Sequence, residues 1–259
     1  MRTQQKMLKN NSSMRGDLLF LLAPAGFALA VLAAIIGGLS GFGTRWEWWP
    51  FTSGFTILKW SAYAGLAAAL VSLAGAVVTR QGRLRRRIVL SAAGLILGLV
   101  VAGVPWSWMH KAEILPRIHD ITTDTENPPR FQSVLALRKY ARNSAEYEGH
   151  KIAEQQRAAY PDIKPLLLAV PQAQAFDRAL ETARNMGWVI VNADAREGRI
   201  EATDTTFWFG FKDDVVVRVI TAPGGSRVDV RSESRVGLSD IGANAARIRL
   251  FLHKLGSKG

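Results

Sequence analysis

Residues 198–241, GRIEATDTTFWFGFKDDVVVRVITAPGGSRVDVRSESRVGLSDI, decide the fold. Apolar and charged side chains alternate here with the period of two that a strand with two unlike faces requires. Val215, Val217 and Val219 fall on one side, with Val216, Arg218 and Ile220 on the other. Farther on, Val228, Val230, Ser232 and Ser234 face one way, while Arg227, Asp229, Arg231, Glu233 and Arg235 face the other. Lys212-Asp213-Asp214 forms one turn signal, and Pro223-Gly224-Gly225-Ser226 carries that of a hairpin. Three antiparallel strands are expected, over 199–206, 215–222 and 227–236. The run FWFGF at 207–211 leads into the second of these. Alternation there sends Phe207, Phe209 and Phe211 toward a core and Trp208 to the opposite face.

Upstream, Trp188 to Asn192 adds a fourth strand. Before it, Phe176, Ala179, Leu180 and Ala183 recur at helical spacing, so a helix is expected over 171–186, stopped by Gly187. Downstream, Ser239 or Asp240 starts a last helix to about Leu255, with a core stripe of Ile241, Ala245, Ile248, Phe251 and Leu252. The soluble part is therefore α+β: helix, four-stranded antiparallel sheet, helix, with the helices on one face. Residues 107–130, rich in Pro, Thr and Asp, read as an extended strap. The stretch 131–170 has only weak helical periodicity followed by a proline-rich extended segment.

Three apolar runs precede that domain. Leu18 to Leu39 is a 22-residue stretch without a charge, about 33 Å long as a helix and enough to cross a bilayer. Thr56 to Val78 and Ile88 to Val104 are the second and third spans, so 18–106 is a three-helix transmembrane region behind a basic tail, 1–17. Arg2, Lys6, Lys9 and Arg15 in the tail and Arg80, Arg83, Arg85, Arg86 and Arg87 between the last two spans mark one face as cytoplasmic. Trp46, Trp48, Trp49, Trp106 and Trp108 gather at the other interface. The expectation is an inner (plasma) membrane protein with a cytoplasmic N-terminus and a periplasmic domain, 131–259. Gly94 and Gly98, spaced GxxxG, are helix-packing positions, either within the bundle or across a homodimer formed by the third span.

Charge divides along the same boundary. The chain carries a net +12, but residues 1–106 account for +9 of it and 107–259 for only +3. Nucleic acid is therefore not an expected partner of the soluble domain. The chain has no cysteine, which removes disulfides, thiolate chemistry and zinc–sulfur centres. No phosphate loop, dinucleotide fingerprint, HExxH or nucleophile elbow is present, and no cofactor is expected. His119, Asp120 and Asp124 form a weak candidate metal cluster.

The sharper constellation surrounds the sheet: Asp204 and Thr205 at the end of one strand, Arg231 and Arg235 on another, and Ser239, Asp240 and Asn244 at the last helix. Arginines on a rigid strand beside a helix N-terminus can grip a carboxylate or phosphate. The competing reading is a solvated ladder in which Asp229 and Glu233 offset Arg227, Arg231 and Arg235. Trp208 is a candidate for lipid or ligand contact.

The strings IHDITTDTENPPRF, YPDI, MGW, GRIEATDTTFWFGFKDDVVVRV and RVDVRSESRVGLSDIGANAARIRLFL resemble an uncharacterised bacterial and plastid family, domain of unknown function 1499, over about Ile118 to Leu255. The three spans resemble its membrane-anchored variant. The resemblance implies an envelope protein and brings no activity, cofactor or catalytic residue. A binding module at the envelope surface, for a lipid, an anionic envelope component or a protein, is the leading expectation, and an enzyme is disfavoured. A hydrolase using Asp204 and Asp240, and a structural subunit of a membrane complex, are the alternatives.

Overall fold

The computed structural model describes residues 21–79 and 85–257. The basic tail, the first residues of the first span, Arg80 and Arg83 lie outside the described residues. Two compact units divide at Met109 and His110.

In the first unit, α1 (Leu22–Arg45), α2 (Phe51–Thr79) and α3 (Arg85–Ile114) are each long and apolar enough to cross a membrane. Their outward faces carry Leu, Ile, Val and Trp, whereas α1 buries almost only small residues, from Ala23 and Gly26 to Gly41 and Gly43. Small contacts let backbones approach where lipid gives no drive to associate. Gly94 and Gly98 do this inside the bundle. A Cβ at Gly94 would meet Ser72 and Phe27, and one at Gly98 would lie 2.5 Å from the Gly65 carbonyl oxygen. The third helix also runs past Pro105 to Ile114, so the first residues of the expected strap are helical.

The second unit is α+β, as the alternation requires, but its sheet has six strands rather than four. The four expected ones are β3 (Val189–Asp194), β4 (Arg199–Thr205), β5 (Lys212–Ala222) and β6 (Gly225–Ser234), paired in sequence and all antiparallel. Two additional three-residue strands, β1 (Asp120–Thr122) and β2 (Leu166–Leu168), lie end to end along the outer edge of β6. Strands this short carry no periodicity, and they exist because β6 offers an edge that must be covered. The β5–β6 turn is two residues long, and Gly225 at its exit has no room for a Cβ, which would clash with the Leu168 carbonyl.

One face of this sheet packs under α5 (Gln172–Asn185) and α6 (Ala243–Gly256). Ile200, Ala202, Val215, Val217, Val219, Val228 and Val230 meet Phe176, Ala179, Ala183, Ile248, Phe251 and Leu255 there. Trp188 stacks on Phe251 with ring centres 5.1 Å apart. Ile241 is not part of this stripe; it precedes the helix and is partly exposed. The opposite face lies under a strap, residues 123–147, containing a 3-10 turn over Ser133–Arg138. A short helix, α4 (His150–Ala159), follows, and its Gln156 holds both the N–H and the carbonyl of Thr122.

Candidate functional site

The strap face of the sheet carries the charges of the expected ladder, and apart from Arg227, whose side chain is 32% exposed, they are shielded from solvent. Asp214, Asp229, Glu201 and Glu233 are fully buried and Arg231 is 1% exposed. The reason lies in the strap. Phe131 and Val134 pack on Val216, and the Glu201 carboxylate accepts the backbone N–H groups of Gln132 and Val134, at 3.1 and 2.9 Å. This pins the strap over the charged rows.

Arg231 then lies between Phe131 and Tyr147, 4.8 and 5.5 Å from the ring centres. Its guanidinium donates to both oxygens of Asp120, to Glu233 and to the carbonyls of Pro129 and Ala145. Arg235 donates to both oxygens of Asp214, to Thr203 and to the Leu137 carbonyl. These two arginines, expected to grip a ligand, are engaged inside the fold. Burial raises the carboxyl of Glu233 to about 8, with the neighbouring Asp120 charge adding to the rise. Burial also raises Asp120, against the pull of Arg231.

On the helix face the remaining candidates converge around α6. Arg247 bridges Asp204 and Asp213 at 2.7 and 2.6 Å and also reaches Ser232 and Asn244. Asn244 accepts from Ser232 and donates to Ser234 and to the His119 carbonyl. The Asp240 carboxylate takes the N–H groups of Gly242 and Asn244, capping the helix, and burial raises it. Ser239 donates to the Pro116 carbonyl and accepts from Ile241 N–H. An open cleft of about 400 Å³ beside Asp204 and Arg247 is lined by Met186, Trp188, Leu250 and Lys254. Asp204 and Asp240 each have fixed partners, an arginine for one and a helix N-terminus for the other. That arrangement orders the sheet.

The third assembly is the end of the sheet where the chain arrives. Asp240 N–H donates to the Ile118 carbonyl and Ser234 N–H to that of His119. At the same end, Arg142 and Asn143 N–H reach the Arg235 carbonyl, and Arg235 N–H reaches that of Lys212, beside Thr205. Three loops, 135–143, 206–211 and 236–241, therefore share this end. FWFGF is a turn here and not the start of a strand, with Gly210 at φ +69°. Phe209 is buried and stacked on Phe211, Trp208 is half-buried, and Phe207, expected in the core, is 79% exposed. Ile241 has φ +52°, a region that costs a β-branched residue about 1–3 kcal/mol. The Asp240 and Ser239 bonds hold it there.

The candidate metal residues go separate ways. Asp120 binds Arg231, Asp124 binds Arg218 and Arg227, and the His119 imidazole lies 3.8 Å from Glu148. Among the described residues no group of three or more such side chains could hold a metal. Sequence reasoning overlooked Arg130, Arg199 and Arg218, which line a cleft of about 200 Å³ at the far end of the sheet. Arg199 and Arg218 are register partners in β4 and β5, a signal available once the strand pairing is set.

A family model described as a protein of unknown function (DUF1499) matches residues 120–255, from β1 into α6. No curated protein and no solved structure matches the chain.

Proposed function

The chain belongs to the DUF1499 family of proteins of unknown function, and from that premise we propose that it is a membrane-anchored, non-enzymatic interaction module of the cell envelope. Its periplasmic domain, in this proposal, binds a lipid surface through the loop end of its sheet. One observation carries this. Among the described residues from 110 onward, eleven large apolar side chains are exposed: Ile114, Leu135, Leu137, Tyr140, Leu167, Val189, Phe207, Ile220, Leu238, Ile241 and Leu250. Six of them, Leu135, Leu137, Tyr140, Phe207, Leu238 and Ile241, belong to the three loops where the chain arrives. Singly exposed apolar residues are ordinary, but a cluster on one surface marks a contact. Exposed Arg117, Lys139, Arg142 and Lys212 stand among them, against the exposed carboxylates Glu146 and Glu148. That composition suits the headgroup region, where apolar tips insert and cations meet phosphate. The arginines around 80–87 support a cytoplasmic N-terminus and hence a domain on the opposite side.

The absence of cysteine makes the test direct. The full chain, reconstituted in vesicles, receives a single cysteine and a spin label at Phe207, Leu238, Leu167 or Ile220. Labels at 207 and 238 are expected to be relaxed by lipid-soluble oxygen, and those at 167 and 220 by an aqueous reagent. Four labels relaxed equally by the aqueous reagent would remove the lipid surface as the partner.

A further inference from the structure

Antiparallel register sets four pairs of like charges directly opposite one another in this sheet: Asp120 with Glu233, Asp214 with Glu233, Asp204 with Asp213, and Arg199 with Arg218. Such pairs are destabilising unless something neutralises them. Three are bridged by a single arginine that contacts both members. Arg231 joins Asp120 and Glu233 at 2.8 and 3.3 Å. Arg138 joins Asp214 and Glu233 at 2.7 and 2.9 Å. Arg247 joins Asp204 and Asp213.

The fourth pair breaks the pattern. Arg199 is held by Glu197 and Glu201, and Arg218 by Asp124 and Asp229, but no carboxylate among the described residues contacts both arginines. Donors are left over as well. The ion pairs of Arg199 use Nε and Nη2 and the bonds of Arg218 use Nε and Nη2, so the Nη1 of each has no partner among the described residues. Over this pair the strap supplies a third arginine, Arg130, exposed and with no ion pair or hydrogen bond to the described residues. Pro128 and Pro129 fix the backbone before it, and Val216, two residues before Arg218 on β5, is an apolar wall of the same cleft. Its volume of about 200 Å³ is that of roughly six or seven waters, enough for a tetrahedral or planar oxyanion.

We infer that an oxyanion from outside the chain, a phosphate or carboxylate group, bridges Arg199 and Arg218 and is closed over by Arg130. Guanidinium groups suit this role because their donors form a fixed fork matched to such oxygens. The site lies at the end of the sheet opposite the apolar loops, so it is separate from the surface proposed for lipid. The detergent-solubilised full chain is titrated calorimetrically with inorganic phosphate, glycerol 3-phosphate and succinate, which stand for a free anion, a lipid headgroup and a carboxylate. Saturable binding of at least one is expected. Arg130→Ala, which removes no internal contact, weakens it by about ten-fold or more, while Arg184→Ala on α5 leaves it unchanged. Failure of all three anions to bind, or an Arg130→Ala variant that binds like the parent chain, overturns the site.

Discussion

Arg231→Met lowers the stability of the soluble domain by about 3–5 kcal/mol, the cost of removing one partner from a buried ionic cluster. The large value follows from what stays behind. Asp120 and Glu233, both buried, would face each other across β1 and β6 with their shared cation gone. The carbonyls of Pro129 and Ala145 would lose donors in the same step. The lost contacts with Phe131 and Tyr147 would also loosen the strap. For a unit of this size each kcal/mol moves the thermal midpoint by about 2–4 °C, so a fall of roughly 6–20 °C is expected in detergent-solubilised full chain. Asp120→Asn in the same background restores part of the loss, because it removes the carboxylate that Arg231 held with two hydrogen bonds. A midpoint shift under about 2 °C would mean that the cluster is hydrated.

The second large effect is on pH. The Glu233 carboxyl ordinarily titrates at 4.5 and is raised to about 8 in the folded domain. Below 4.5 the folded and unfolded chains both hold its proton, and the contribution to stability is fully present. Between 4.5 and about 8 the folded domain keeps a proton that the unfolded chain has released. Stability then falls by up to about 1.4 kcal/mol per pH unit, and the loss is complete above about 8. The urea midpoint at pH 9 is therefore expected below that at pH 6, and Glu233→Gln, which keeps the shape of the protonated acid, removes most of the difference. Asp120 and Asp240 are also raised by burial and act in the same direction. An unchanged difference in Glu233→Gln would assign the titration elsewhere.

Much of this architecture was legible in the sequence because it is written in long periodic patterns. The three apolar runs, the stripe Phe176–Ala183 and the alternation of β5 and β6 needed no tertiary information. What could not be read is which face of the sheet is covered. Alternation sorts Arg227, Asp229, Arg231 and Glu233 onto one side, and an exposed ladder with that composition is common. Here a strap carrying few apolar anchors, chiefly Phe131 and Val134, buries the row, held down by Glu201 through backbone N–H groups. Such a bond leaves no mark in the sequence. The same limit hid β1 and β2, too short for a period, and misplaced Phe207, which a tight turn at Gly210 directs to solvent. Among the candidate site residues, Arg231, Arg235, Asp240 and Asn244 lie at structural junctions. The donors left over belong to Arg130, Arg199 and Arg218, which become a group only once register places two of them face to face.

Hydrogen exchange on the full chain, in lipid vesicles and in a detergent that leaves the loops free, tests most directly whether the domain works as a lipid-binding module. Segments 135–142, 206–211 and 236–241 are expected to gain protection in vesicles, while β2 and the β5–β6 turn exchange equally in both. Equal exchange of the three loops in vesicles and detergent would contradict that role.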